Sequence, residues 1–283
     1  MIDTLSFAHS PCPNDTFIFH ALNAGLVPGP CLDMDVRLAD IEELNSIAAH
    51  ELADVVKVSV AAVAGLLDRY VVLTAGGALG RGVGPVLVSG SGCTVPDLDG
   101  QPVAIPGFHT TANLLFGLFC KQQGIAPELT ELVYDQVMPG VSNGRVRAGV
   151  VIHEGRFTFA AHGLQKLMDL GQWWEQYTGL PLPLGCIMVR RSLGMGVARA
   201  VDRAIRASLE YAWANPDASR EYVREHAQEM QDEVIDRHIR TFVTDYSLDV
   251  GAEGEGAIMA LLEEACRMDG NSLPDLPIFV PGK

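Results

Sequence analysis

Apolar and polar positions fall into two alternating rhythms along the 283-residue chain. A period of two marks half-buried strands, and a period near 3.6 marks helices with one buried face. LSFA (5–8) reads as a strand and NDTFIFHALNAG (14–25) as a helix that stops at Gly25. LDMDVRLA (32–39) alternates as a strand. The helix from Ile41 follows, with Asp40 as N-cap and Glu43 at the capping-box position. VVKVSV (55–60) and YVVLT (70–74) are further strands. After the glycine-rich stretch GGALGRGVGPVLVSGSG (76–92) the alternation restarts. PVAIPG (102–107) is a strand, TTANLLFGLFCKQQG (110–124) a helix closed by Gly124, and ELVYD (131–135) and GVVIH (149–153) are strands. LPLPLGCIMVRRS (180–192) is another apolar run. From Gly196 onward the pattern is helical, as in VARAVDRAIRASLEYAWANP (197–216) and DEVIDRHIRTFV (232–243).

Alternating β and α predicts an α/β protein with largely parallel sheets. GPVLVS and GCIMVRR bracket a middle block of domain size. The expected organisation is therefore two lobes. Residues 1–90 and 191–283 form the larger lobe with both termini, residues 91–190 form the smaller one, and a ligand cleft lies between them.

Composition narrows the function. A 48% hydrophobic content supplies a core, and 19% charged residues excludes a disordered or coiled-coil chain. The net charge of −15 opposes binding to nucleic acid and to acidic membrane surfaces. A local pocket for a small anion is still compatible with it. The N-terminus has no basic region followed by an apolar run, and no stretch reaches the roughly 20 apolar residues of a membrane helix. A cytoplasmic protein is expected. Its six cysteines, Cys12, Cys31, Cys93, Cys120, Cys186 and Cys266, form no CxxC pair and are expected to be reduced.

In open α/β sheets ligands bind beyond the carboxyl ends of strands, so the residues after each strand carry the candidate chemistry. Four places qualify. In SPCPNDTF (10–17), Asn14 or Asp15 could cap the next helix, or the stiff loop could meet a ligand. In VVKVS, Lys57 and Ser59 share a strand face. Lys57 either points into a polar cavity or pairs with an anion, or it snorkels from a strand end to solvent. In PGFHTTANLLF (106–116), Thr110 or Thr111 opens a helix, as an ordinary cap or as a seat for a carboxylate or phosphate. In AGVVIHEGRFTF (148–159), His153 ends an apolar run; it either serves as a general base or only bonds its loop. Cys12 is a further nucleophile candidate without an assigned base. Nucleotide-binding glycine motifs, the nucleophile elbow and zinc-ligand spacing are absent. GGALGRGVG therefore reads as a hinge or a loop close to substrate, and Trp173 and Trp174 as aromatics that pack the lobes.

The segments SPCPNDTFIFHAL, KVS (57–59), GGALGRGVGP, HTTA (109–112), VVIHEGRFT, DLGQWWEQYTGLPLPLG, QDEVIDRHI and YSLDVG occur in one order across almost the whole chain. Together they resemble the 1,4-dihydroxy-6-naphthoate synthases of the futalosine route to menaquinone. The resemblance implies a two-lobed fold like the type II periplasmic binding proteins, used for catalysis. It implies fragmentation of cyclic dehypoxanthinyl futalosine, with loss of a three-carbon sugar piece, and no metal or organic cofactor. The implied base is His153. The implied substrate contacts are Lys57, Ser59, Thr110 and Thr111, with Asn14 beside them. Two positions depart from the pattern: Val60 follows the KxS serine in place of an aromatic residue, and Gly155 follows the IHE element, where it is expected to loosen the turn. A chorismate dehydratase-type enzyme and a non-catalytic binding protein for a small anion are the competing readings of the same fold.

Overall fold

The computed structural model describes residues 4–30, 33–228 and 231–281. Among them the strands, in chain order, are β1 (Thr4–His9), β2 (Asp33–Leu38), β3 (Val55–Ser59), β4 (Tyr70–Val72), β5 (Ala78–Gly80) and β6 (Val86–Ser89), then β7 (Pro102–Ile105), β8 (Glu128–Glu131), β9 (Ala148–Val151), β10 (Gln165–Asp169) and β11 (Leu182–Arg190). The chain divides into two compact units, residues 1–80 with 183–283 and residues 81–182. The joints lie eight to ten residues ahead of the boundaries read from sequence. The reason is that GPVLVS is a full strand of the second unit's sheet, and LPLGCIMVR a full strand of the first unit's.

In the first unit the sheet runs β2-β1-β3-β11-β4, with β5 also paired to β11. β1 lies parallel to β2 and β3, whereas β11 is antiparallel to β3 and β4. In the second unit the order is β10-β6-β9-β7-β8. β7 lies parallel to β8 and β9, and β6 is antiparallel to β9 and β10. Each sheet is thus mixed, which corrects the expectation of largely parallel sheets. The strand by which the chain enters a unit, β6 or β11, runs against its neighbours. The parallel part of each unit is the same β-α-β-α-β element. Its first strand is central, its second outermost, and its third on the other side: β2-β1-β3 in one unit and β8-β7-β9 in the other.

The helices between these strands follow from local chemistry. Asp40 caps the helix Ile41–Ala49 by accepting from the N–H groups of Glu42 and Glu43, and Gly124, at φ 69°, closes the helix Thr111–Gln123. Glu43 itself pairs with Arg37. One strand was misplaced. ELVYD is not a strand; β8 precedes it, and Tyr134 begins the helix Tyr134–Ser142. β8 is an edge strand with mostly exposed side chains, so it carries no apolar alternation to read. The first unit's core gathers Leu5, Phe7, Phe19, Val55, Ile187 and Ile205, among others. The second unit's core gathers Val86, Val88, Ala104, Val137 and Val151.

Candidate functional site

In a sheet ordered second-first-third, successive crossovers leave the first strand in opposite directions. The crevice at that reversal lies beyond the carboxyl ends of the first and third strands. In the first unit those strands are β1 and β3, followed by Ser10–Asp15 and ending in Lys57 and Ser59. In the second they are β7 and β9, followed by Thr110–Thr111 and His153. The four sequence candidates therefore occupy the two reversals, two at each.

The first reversal is a buried polar network. Helix Pro13–Asn23 begins with Pro13 at its first position and Cys12 at the cap, without a side-chain cap bond. Neither Asn14 nor Asp15 is the N-cap, which corrects that expectation. Both lie in the buried first turn. Asp15 Oδ1 accepts from Lys57 Nζ at 2.7 Å and from Asn14 Nδ2 at 2.8 Å; Oδ2 accepts from Ser10 Oγ at 2.8 Å and Ser10 N at 3.2 Å. Lys57, 4% exposed on a strand inside the sheet, also donates to Gly76 O at 3.2 Å. The snorkelling alternative for Lys57 is thereby overturned. Its anion is built in. Gly185 opposes Ser59 across the ladder, and a Cβ there would sit 3.0 Å from Lys57 Cε, so only glycine clears the lysine stem without displacement.

Burial pushes the Asp15 carboxyl up, but the neighbouring Lys57 charge, His9 and the donated hydrogen bonds outweigh it and hold Asp15 below its ordinary value. His9 is fully buried, and desolvation lowers its pKa to about 4. Its Nδ1 lies 2.9 Å from Ser10 O, so that nitrogen carries the proton, and Nε2 accepts from Asn23 Nδ2 at 3.0 Å. Ser59 meets a different helix from Lys57. Its N–H donates to Asn45 Oδ1 at 2.9 Å, and its Oγ accepts from Asn45 Nδ2 at 3.2 Å. His238 Nε2, from helix Asp232–Phe242, lies 2.9 Å from Asn14 Oδ1.

At the second reversal, Thr110 caps the helix Thr111–Gln123. Its Oγ1 accepts from Asn113 N at 3.2 Å and donates to Gly107 O at 2.7 Å. The capping reading of Thr110 is correct, and its hydroxyl proton is already committed. Thr111, also buried, is the first residue of that helix, where N–H groups lack partners within the helix. His153 does not end the strand. It stands two residues beyond β9 with φ 52°, a left-handed backbone rare outside glycine. Its ring meets Tyr134 edge-on, with centroids 4.9 Å apart. The short helix Gly155–Thr158 follows, and Arg156 within it bonds Gly84 O and, at 3.2 Å, Asp169 Oδ2. Arg156 therefore ties down the histidine loop. Gly155 is buried, and a Cβ there would lie 3.3 Å from Val151 Cβ.

The remaining candidates make contacts within their own unit. Gly84 lies against the Gly171 backbone so closely that a Cβ would overlap it, and Gly82 N donates to Glu175 Oε1 at 2.7 Å. Trp173 stacks on Tyr177 and meets Phe119 edge-on, while Trp174 is fully buried and donates to Pro181 O, all within the second unit. Cys12, Cys93, Cys120, Cys186 and Cys266 are free and buried, and burial pushes Cys120 and Cys186 up to about 12. Cys31 lies outside the described residues. Among the described residues no group of His, Cys, Asp and Glu could hold a metal ion, and no helix is long and apolar enough to cross a membrane. A groove lined by Phe17, Trp213, Val223, Ile235 and Ile239 in the first unit includes none of the six candidate residues.

Sequence reasoning missed Asp15 as a partner of Lys57, together with His9, Asn45 and His238. Asp15 could have been found, because a lysine in a VVxVSV strand demands a buried anion and SPCPND supplies one. The other three carry no local signal.

A family model described as menaquinone biosynthesis matches residues 5–267. The chain is 49% identical over 280 residues to a 1,4-dihydroxy-6-naphthoate synthase of Thermus thermophilus, covering 99% of this chain and 100% of that one. It is 47% identical to the enzyme of the same name from Streptomyces coelicolor, covering 93% of each. Among solved structures, a protein of Archaeoglobus fulgidus superposes with a TM-score of 0.87 at 35% identity, covering 95% of this chain and 98% of that one. The periplasmic aliphatic sulphonate-binding protein of Escherichia coli superposes with a TM-score of 0.68 at 13% identity, covering 100% and 95%. That likeness establishes the two-lobed periplasmic-binding-protein-like fold.

Proposed function

The chain belongs to the menaquinone-biosynthesis family, and from that premise we propose that it is a 1,4-dihydroxy-6-naphthoate synthase. It cleaves cyclic dehypoxanthinyl futalosine to 1,4-dihydroxy-6-naphthoate and a three-carbon sugar fragment, as a carbon–carbon lyase working in the cytoplasm. The observation that carries this reading is the near-full-length identity to enzymes of that name. The geometry supports it independently, because every residue the resemblance assigns to substrate or catalysis falls at one of the two sheet reversals.

The roles follow from the surroundings. His153 is the general base: an imidazole can both take and return a proton, and its left-handed backbone is the kind of strain that persists where function requires it. It takes the proton of a sugar hydroxyl. The freed O–H electrons form a carbonyl, the adjacent carbon–carbon bond breaks, and its electron pair enters the ring system, whose aromatisation drives the step. The aryl carboxylate is seated at the helix start opened by Thr110 and Thr111. Since the Thr110 proton is held by Gly107, the donors for the anion come from Thr111 and the helix N–H groups. Of the three hydrogens on Lys57, two are engaged by Asp15 and Gly76, and the third is assigned to a substrate oxygen beside Ser59 and Asn14.

Purified protein incubated with cyclic dehypoxanthinyl futalosine, and separately with chorismate, tests the reading. Release of naphthoate from the first alone is expected. Turnover of chorismate would make it a dehydratase, and tight binding without turnover would make it a binding protein.

A further inference from the structure

His238 is a buried histidine that the proposed chemistry does not use. It is 1% exposed, on helix Asp232–Phe242, with its ring against Phe242 at 4.6 Å between centroids. Its Nε2 reaches Asn14 Oδ1, 224 positions away in sequence, at 2.9 Å. Because that acceptor is a carbonyl oxygen, Nε2 must carry the proton. The amide's other end agrees: Asn14 Nδ2 donates to Asp15 Oδ1 at 2.8 Å. A flipped amide would set its oxygen against the Asp15 carboxylate, so Asp15 selects the orientation and leaves Asn14 Oδ1 as the acceptor that His238 Nε2 must meet with its proton.

We infer that His238 is a positioning residue for the substrate site, holding Asn14 so that its amide both braces Asp15 against Lys57 and offers its second hydrogen to substrate. The inference rests on the reading above that Asn14 contacts substrate. Helix Asp232–Phe242 meets Asn14 through this bond. Its sequence neighbours serve the core: Ile235 and Phe242 are buried. Apolar packing alone would place leucine or phenylalanine at 238. A donor at this point is what the amide requires.

The test uses His238→Phe, which keeps bulk and removes the donor, and His238→Gln, whose Nε2 can restore it. Loss of one neutral hydrogen bond is worth about five- to tenfold in an equilibrium. The expected result is a KM raised about five- to tenfold by His238→Phe, with kcat changed less than about twofold, and recovery in His238→Gln. In an Asn14→Ala background His238→Phe should have no further effect on KM. Effects that add in that background, or a His238→Gln variant no better than His238→Phe, would overturn the inference. The side-chain amide NMR signals of Asn14 give a readout independent of turnover; His238→Phe should shift them and His238→Gln should return them. Unmoved signals with naphthoate still released would sink the positioning role and leave the function standing. Shifted and restored signals in a chain that releases no naphthoate would do the reverse.

Discussion

The two reversals share a strand order and differ in charge. At the first, the anion is part of the protein: Asp15 fills the pocket of donors formed by Lys57, Ser10 and Asn14, every one of them buried. At the second, the groups singled out are a threonine-capped helix start and a half-buried imidazole on a left-handed residue. The same topology thus yields a pre-paired platform in one unit and, in the other, the place where we propose that the anion is seated and the proton is taken. The difference shows that a lysine within a buried strand and a helix start after a strand are not equivalent anion signals. The lysine already has its carboxylate in Asp15.

The comparison breaks most easily at Lys57. Lys57→Met would leave Asp15 charged, buried and unbalanced, at a cost of about 3–5 kcal/mol. Pairing it with Asp15→Asn should return much of that stability, because the charge is then gone on both sides. Urea unfolding of the single and double variants measures this. A single variant as stable as the parent would mean that the pair is not the platform described.

A smaller effect comes from His9. Its pKa falls from 6.5 unfolded to about 4 folded, so the unfolded chain binds the proton first. The stabilisation from neutral His9 is complete above about pH 6.5, declines as pH drops, and is gone below about pH 4. The shift is worth about 3 kcal/mol across that window. Asp15, whose pKa is lowered, adds a further loss only at lower pH, as the solution passes below 3.8 toward its folded value. Midpoints of urea unfolding between pH 7 and 4 should fall in the parent and flatten in His9→Asn. Equal slopes would remove His9 from the account.

Thr110→Ala, at the second reversal, should cost about 1 kcal/mol as a lost N-cap. Thr110→Ser should retain the cap. If Thr110 shapes the anion seat, KM for the carboxylate substrate rises in the alanine variant and not in the serine variant.

Much of this was legible in the chain. The period-two and period-3.6 runs located most strands and helices, since buried faces impose those rhythms. β8 escaped because an exposed edge strand has no such rhythm, and the antiparallel course of β6 and β11 is set by pairing across long sequence distances that no local pattern records. Among site residues, the cap at Thr110 was readable because a cap acts on its own next turn. The Asn14–His238 and Ser59–Asn45 bonds were not, because each joins elements whose proximity exists only once the unit has folded. The tether from Arg156 to Asp169 belongs to the same class.

The division between platform and reactive group is tested most directly by His153→Asn. Asparagine tolerates the left-handed backbone at φ 52°, so the substitution removes the proposed base and spares the turn. The pH–rate profile of naphthoate release from cyclic dehypoxanthinyl futalosine is the measurement. The account predicts kcat lower by about 10²–10⁴-fold, loss of the limb near neutral pH, and little change in KM. Turnover near that of the parent with the same limb would show that His153 is not the base.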